Sequence, residues 1–143
     1  METKYKITLY VASNVKHKYF AVCNKEGKPI WHDYYNQLHF IDTQLKNEIS
    51  ATIRALQLVI FYEYEVKKEK INEVEILTSE KKLLNFKNPR AMSFRLFELS
   101  KDFDFDLKIN YITSQKNFAK KYAPPPPPYG YYNIDKIITE VIN

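Results

Sequence analysis

The sequence predicts an α/β domain, a mixed five-stranded sheet with helices on its faces. Three observations carry this. The chain opens with three strand-like runs joined by short turns, the signature of an antiparallel meander. A long stretch with helical apolar spacing follows. After it comes another β-rich run, and a strand reached through a helical crossover returns parallel to the first. A chain of 143 residues is long enough to bury one core of this kind, so a single domain over residues 1–143 is expected.

The first strand is read over Lys4 to Ser13, where Ile7, Leu9 and Val11 alternate with Thr8, Tyr10 and Ala12. Lys18 to Asn24 is the second. Asn24-Lys25-Glu26-Gly27-Lys28 forms the turn, with Gly27 as its positive-φ residue. Pro29 to Tyr35 returns as the third strand. The long helix runs from about Thr43 to Glu65, with Leu45, Ile49, Ile53, Leu56 and Ile60 as its stripe and Asp42 or Thr43 as its cap. Lys67, Lys68 and Lys70 follow its C-terminal end, where cations suit the helix dipole.

Asn72 to Thr78 is the fourth strand, parallel to the first. Glu80 to Phe86 is a short helix ended by Asn88-Pro89. Ala91 to Leu99 fits either a helix or a strand. Asp102, Asp104 and Asp106 alternate with Phe103, Phe105 and Leu107, which reads as the lead-in to a fifth strand ending near Thr113. No glycine and closing glutamate complete a calcium loop there. Five prolines, Pro124 to Pro128, form a stiff loop at 123–130. A last helix follows, with Ile134, Ile137, Ile138 and Val141 on one face and Asn133 as its cap.

Composition excludes several function classes. Two glycines leave no material for a glycine-rich phosphate loop. One cysteine, Cys23, forms no intrachain disulfide and builds no zinc site, and fits an intracellular setting, cytoplasmic or nuclear. There is no basic-then-apolar leader pattern at the N-terminus and no apolar run of spanning length, so no membrane partner is expected. The net charge of +5 permits DNA or RNA contact without demanding it. Aromatic residues make up 15% of the chain, enough to furnish an interface as well as a core.

The order of elements, taken with five local stretches, resembles the ribonuclease H-like fold. Ile7-Thr8-Leu9-Tyr10-Val11-Ala12-Ser13 is similar to the first strand, which in the family ends in Thr-Asp-Gly. Tyr19 to Val22, through Gly27 to Ile30-Trp31, is similar to the second and third strands. Asn47-Glu48 stands where the family carries a catalytic glutamate. Val74 to Glu80, then Leu83-Leu84-Asn85, is similar to the fourth strand and the Thr-Asp-Ser after it. Asn133 to Ile138 is similar to the helix that presents the last carboxylate.

The resemblance implies a site for two divalent ions, magnesium or manganese, held by four carboxylates and cleaving the RNA strand of a hybrid. Two positions keep their acid, Glu48 and Asp135. Two do not: the first-strand aspartate matches Ala12, and the aspartate after the fourth strand matches Ser79. A methyl group and an alcohol supply no charge to a hard cation. Glu80 is one residue from Ser79, and a one-residue slip turns a strand side chain to the other face. The family's histidine before the last helix has no counterpart, since His17, His32 and His39 all come early.

Two classes of function remain. The first is a catalytically inactive ribonuclease H-like module without a cofactor, serving protein interaction or homo-oligomerisation in a nucleic-acid-associated assembly. Its nucleic-acid contacts would be Lys116, Lys120 and Lys121 with Phe118 and Tyr122. The Asn-, Lys-, Ile- and Tyr-rich composition suggests an AT-rich coding source such as a mobile element, phage or low-GC microbe. The second class is a metal-dependent nuclease with a rearranged site, in which Glu48, Asp135 and Glu80 are catalytic, an acid from Asp102 to Asp106 is a further candidate, and Glu48 and Asp135 bind the metal.

Overall fold

The structure is a computed structural model that describes residues 5–14, 19–34 and 43–122. Five strands form one sheet: β1 (Lys6–Asn14), β2 (Tyr19–Asn24), β3 (Pro29–Tyr34), β4 (Glu73–Thr78) and β5 (Asp106–Tyr111). Their order is β3-β2-β1-β4-β5. The first three pair antiparallel, and β4 and β5 run parallel to β1. This is the mixed sheet that the sequence predicts, with β1 central because the crossover through the long helix sets β4 beside it.

The β2–β3 turn is closed by Asn24. Its backbone N–H donates to the Lys28 carbonyl, and its side-chain oxygen accepts from the N–H groups of Glu26 and Lys28. Gly27 has φ +84°, the left-handed conformation that favours glycine.

The long helix α1 (Gln44–Ile60) is capped by Thr43, whose hydroxyl oxygen accepts from the Lys46 N–H at 3.2 Å. It lays Ile49, Leu56, Val59 and Ile60 on one face of the sheet against Leu9, Val11, Val22, Val74 and Ile76. The helix does not stay α-helical to Glu65. From Phe61–Val66 it widens into a π-helix, with the Lys67 N–H reaching the Tyr62 carbonyl at 2.9 Å. Lys67 pins this end, since its ammonium donates to the Tyr5 hydroxyl at 2.8 Å and lies 3.3 Å from the Glu63 carboxylate. The Tyr5 hydroxyl does most to raise the Lys67 pKa. Lys68 then takes φ +57° and turns the chain out of the helix.

A 3₁₀ turn (Lys81–Asn85) follows β4, and α2 (Phe94–Asp102) precedes β5. The ambiguous run is thus helical and starts later than Ala91. The aspartate run is the exposed lead-in to the fifth strand, but it is a turn rather than extended chain: Asp102 ends α2, Asp104 has φ +55°, and Asp106 begins β5. A Phe103-to-Phe105 turn intervenes because Phe103 stacks on Tyr64, with centroids 6.3 Å apart, while Phe105 turns into the core.

The second face of the sheet is different. Over β2 and the end of β1 a small cluster of Ala12, Tyr19, Ala21 and Cys23 is covered by Ala119 from a second 3₁₀ turn (Phe118–Tyr122). Burial pushes the Cys23 thiol up to about 12. Across β1, β4 and β5 this face carries Lys6–Glu73 at 3.3 Å, Lys6–Glu75 at 3.5 Å and Lys108–Glu73 at 3.1 Å. Lys108, followed by Lys6, draws the Glu73 carboxyl below its ordinary range.

The proline loop at 123–130 and the closing helix with Asp135 lie outside the described residues, as do His17, His39 and Asp42.

Gly27→Ala should lower the stability read from urea unfolding by about 1–2 kcal/mol. A β-carbon at φ +84° is strained, and it would sit 3.1 Å from Cγ of Phe118. An unchanged midpoint would show that the turn relaxes freely.

Candidate functional site

The first turns of α1 are polar yet buried. Asn47 and Thr52 are fully covered, and Glu48 is 2% exposed. A carboxylate survives such burial only with partners for its oxygens. Glu48 has two. The Ser13 hydroxyl, at the end of β1, donates to Oε1 at 2.5 Å. The Thr78 hydroxyl, at the end of β4, donates to Oε2 at 2.6 Å.

Each hydroxyl is used twice. Ser13 Oγ accepts from the Gln44 amide at 3.0 Å, and the same amide reaches the Ser13 carbonyl at 3.1 Å. Thr78 Oγ1 accepts from the Glu80 N–H at 3.0 Å. Thr52 donates to the Glu48 carbonyl at 2.8 Å. The result is a closed hydrogen-bonded knot joining α1 to the tips of β1 and β4. Burial pushes the Glu48 carboxyl above its ordinary value of 4.5; the Ser13 and Thr78 hydroxyls and Lys120 oppose that, and Glu80 adds to it.

Two sequence assignments need correction. Ala12 does not face Glu48. Strand side chains alternate, and Ala12 belongs to the opposite face, packed with Tyr19, Ala21 and Cys23. The β1 residue that meets Glu48 is Ser13. Ser79 also faces away, its hydroxyl accepting from the Asn117 amide at 3.2 Å. The β4 residue that meets Glu48 is Thr78. Glu80 shares the parity of Thr78 and its charge is felt at Glu48, but its Oε1 accepts from the Lys82 N–H at 3.4 Å, capping the 3₁₀ turn.

The basic stretch after β5 lies on the other face of the sheet. Lys116 and Lys121 are exposed and Lys120 is half-buried. Phe118 packs edge-on against Tyr10, with centroids 4.9 Å apart, and the Lys121 ammonium covers its ring at 5.5 Å. Tyr122 closes the turn. Asn117 anchors the segment: its amide donates to the Val11 carbonyl at 3.0 Å as well as to Ser79, bridging β1 and β4 where they part.

Sequence reasoning offers Ser13 only as a weak oxygen beside Ala12 and misses Thr78, Gln44 and Asn117. A signal for Ser13 was present, since it continues the Leu9, Val11 alternation that packs under α1.

No family model and no curated protein sequence matches this chain. Solved structures do. LC11-RNase H1 in complex with an RNA/DNA hybrid superimposes with a TM-score of 0.60 and 14% identity, covering 96% of this chain and 99% of that one. RNase H1 from the halophilic archaeon Halobacterium salinarum NRC-1 gives 0.53 and 14%, covering 82% and 94%. The foamy viral protease-reverse transcriptase dRH in complex with double-stranded DNA gives 0.51 and 16%, covering 86% of this chain and 23% of that one.

The fold is ribonuclease H-like.

Within a ribonuclease H-like fold the expected group is a pair of divalent ions, and the described residues do not fit it. Both Glu48 oxygens already accept short hydroxyl hydrogen bonds, and the groups beside them are neutral alcohols. Among the described residues no three of His, Cys, Asp and Glu converge to hold an ion. Chemically, the knot suits a carboxyl that ties a helix to a sheet. Among the described residues, too, no helix is long and apolar enough to cross a membrane.

Glu48→Ala should cost about 3 kcal/mol of stability, because it leaves a cavity and two buried hydroxyls without their acceptor. Glu48→Gln should cost less than about 1 kcal/mol, since its amide donates to one hydroxyl and accepts from the other. The pH dependence separates them further. The folded carboxyl holds its proton above 4.5, where the unfolded one has lost it. Wild-type stability therefore falls as pH rises from 4.5 through the raised folded value. Glu48→Gln should remove that decline in urea midpoints collected from pH 4 to 8. An equal slope in both proteins would refute the assignment.

Proposed function

We propose that this chain is a ribonuclease H-like module that does not hydrolyse nucleic acid and serves as an interaction or assembly domain beside it. One observation carries the reading: the Glu48 carboxyl is buried and each of its oxygens accepts a short hydrogen bond, from the Ser13 and Thr78 hydroxyls. Two-metal hydrolysis needs several charged oxygens converging on a pair of hard cations. An oxygen that already accepts a buried hydroxyl hydrogen bond gives a poor ligand, and freeing it would orphan the hydroxyl.

Two of the structures with the same fold hold nucleic acid, an RNA/DNA hybrid and double-stranded DNA. That likeness supports a nucleic-acid setting for this module. A protein partner or a second copy is supported by the surface at the end of the long helix. Phe61 is 61% exposed and Val66 54% exposed, and five residues apart in a π-helix they share a side. A single, buried Cys23 suits a reducing, intracellular compartment.

Purified protein at high concentration should leave hybrid, duplex and single-stranded substrates intact with Mg²⁺ or Mn²⁺. Cleavage that needs the metal and disappears in Glu48→Gln would establish the nuclease instead, with Glu80 and Asp135 as the next residues to substitute.

A further inference from the structure

At the opposite end of α1 from Glu48, helix and sheet leave a gap between them. A cavity of about 250 Å³ lies there, partly open to solvent. β1 supplies Ile7 and Leu9 to its wall, α1 supplies Leu58 and Val59, and β3 supplies Ile30. Ile7 and Leu9 are two apart on one strand and so share a face. Two backbone irregularities border the cavity. The helix widens there into its π-turn, which contributes Tyr62 and Glu63. In the β2–β3 ladder Val22 pairs with Trp31 and Cys23 with Pro29, so Ile30 is the extra residue of a bulge. Both kinds of irregularity are over-represented beside functional sites.

Two polar side chains stand in this apolar wall with bonding capacity left over. Asn24, opposite Leu9 in the β1–β2 register, spends its Oδ1 on the N–H groups of Glu26 and Lys28. Its amide N–H₂ has no partner among the described residues. Glu63 is 6% exposed, and among the described residues its Oε2 accepts no hydrogen bond. The Lys67 ammonium stands 3.3 Å away as an ion pair, but it donates to the Tyr5 hydroxyl at 2.8 Å. The charge of Glu63 is thus balanced while its hydrogen-bonding capacity is not, and a buried acceptor without a donor is costly.

We propose that this cavity binds a small aromatic molecule of one or two rings that carries a neutral N–H or O–H donor, packed on Ile7, Leu9, Ile30 and Leu58 and hydrogen-bonded to the Glu63 carboxylate. An apolar cavity of about 150 Å³ takes benzene, so this one has room for a second ring. Tyr62 gives the ligand an aromatic neighbour. A neutral donor fits better than an amine, because Lys67 already balances Glu63, and a ligand carboxylate would meet the Glu63 charge. The occupant is a free solute. Phe61, the exposed apolar side chain beside the cavity, is no part of its wall. The site is separate from the Glu48 knot and does not depend on whether the chain hydrolyses nucleic acid.

The test is an NMR titration of the ¹⁵N-labelled full chain with indole and with indene, which keeps the two-ring frame and lacks the N–H. Indole should saturably shift the amides of Leu9, Ile30, Leu58 and Glu63. It should bind at least about 10-fold tighter than indene, the difference made by one hydrogen bond to a charged group. Leu58→Trp, which fills the cavity, should abolish the shifts. Glu63→Met should bring indole down to the level of indene, and Phe61→Ser should bind as wild type does, all three checked for folding by circular dichroism. Should Glu63→Met fail to fold, the ratio of indole to indene affinity in wild type decides the role of Glu63 alone. No saturable shift up to the solubility limit of indole, or shifts centred on other residues, overturns the site. Equal affinity for indole and indene overturns the donor requirement. A loss in Phe61→Ser as large as in Leu58→Trp places binding on the exposed helix end and overturns the cavity.

Discussion

The structure turns on one carboxyl group held between two alcohols. Glu48 enters from α1, Ser13 from β1 and Thr78 from β4, and the three meet in a buried place. Charged-group hydrogen bonds are stronger than neutral ones, and a buried acceptor left without donors is expensive. The knot therefore fixes where the helix begins relative to the two central strand tips. Everything at that edge of the sheet inherits its position: the Glu80 cap and the 3₁₀ turn after it.

The same arrangement engages both oxygens of the acid that stands where the family resemblance expects a catalytic glutamate. Hard cations ask for free, anionic oxygens, whereas Glu48 is turned inward and accepts a hydroxyl hydrogen bond at each oxygen. Stability and metal affinity make opposite demands on the Glu48 oxygens. With neutral alcohols at Ser13 and Thr78 as partners, both Glu48 oxygens tie the helix to the strand tips, at the desolvation cost that raises the carboxyl's pKa.

Away from this knot the two faces of the sheet follow different physics. Under α1 the contacts are apolar and continuous, from Leu9 and Val11 to Ile76 and Ile109. On the other face, alternating lysines and glutamates cross β1, β4 and β5, and a small alanine-rich cluster lies under Ala119. Those surface pairs contribute little energy individually. Their opposite charges offset one another locally on that face.

Much of the architecture was legible because it depends on local periodicity. Alternation in residues 7–12, the Asn24-to-Lys28 turn and the three-to-four spacing of Leu45 to Ile60 are properties of short windows. The π-turn after Ile60 was not, because it depends on Lys67 reaching Tyr5, far away in sequence. The site was half legible. Glu48 was found, as a polar residue at the front of an apolar helix. Its partners were misassigned by one residue on each strand, since motif matching aligned Ala12 and Ser79 where strand parity selects Ser13 and Thr78. By itself, then, the sequence determined the strands and main helices, their order and the position of the acid. Only the tertiary structure decided which side chains face that acid. Those contacts span 35 and 30 residues, and they depend on strand pairing and face, which no local pattern specifies.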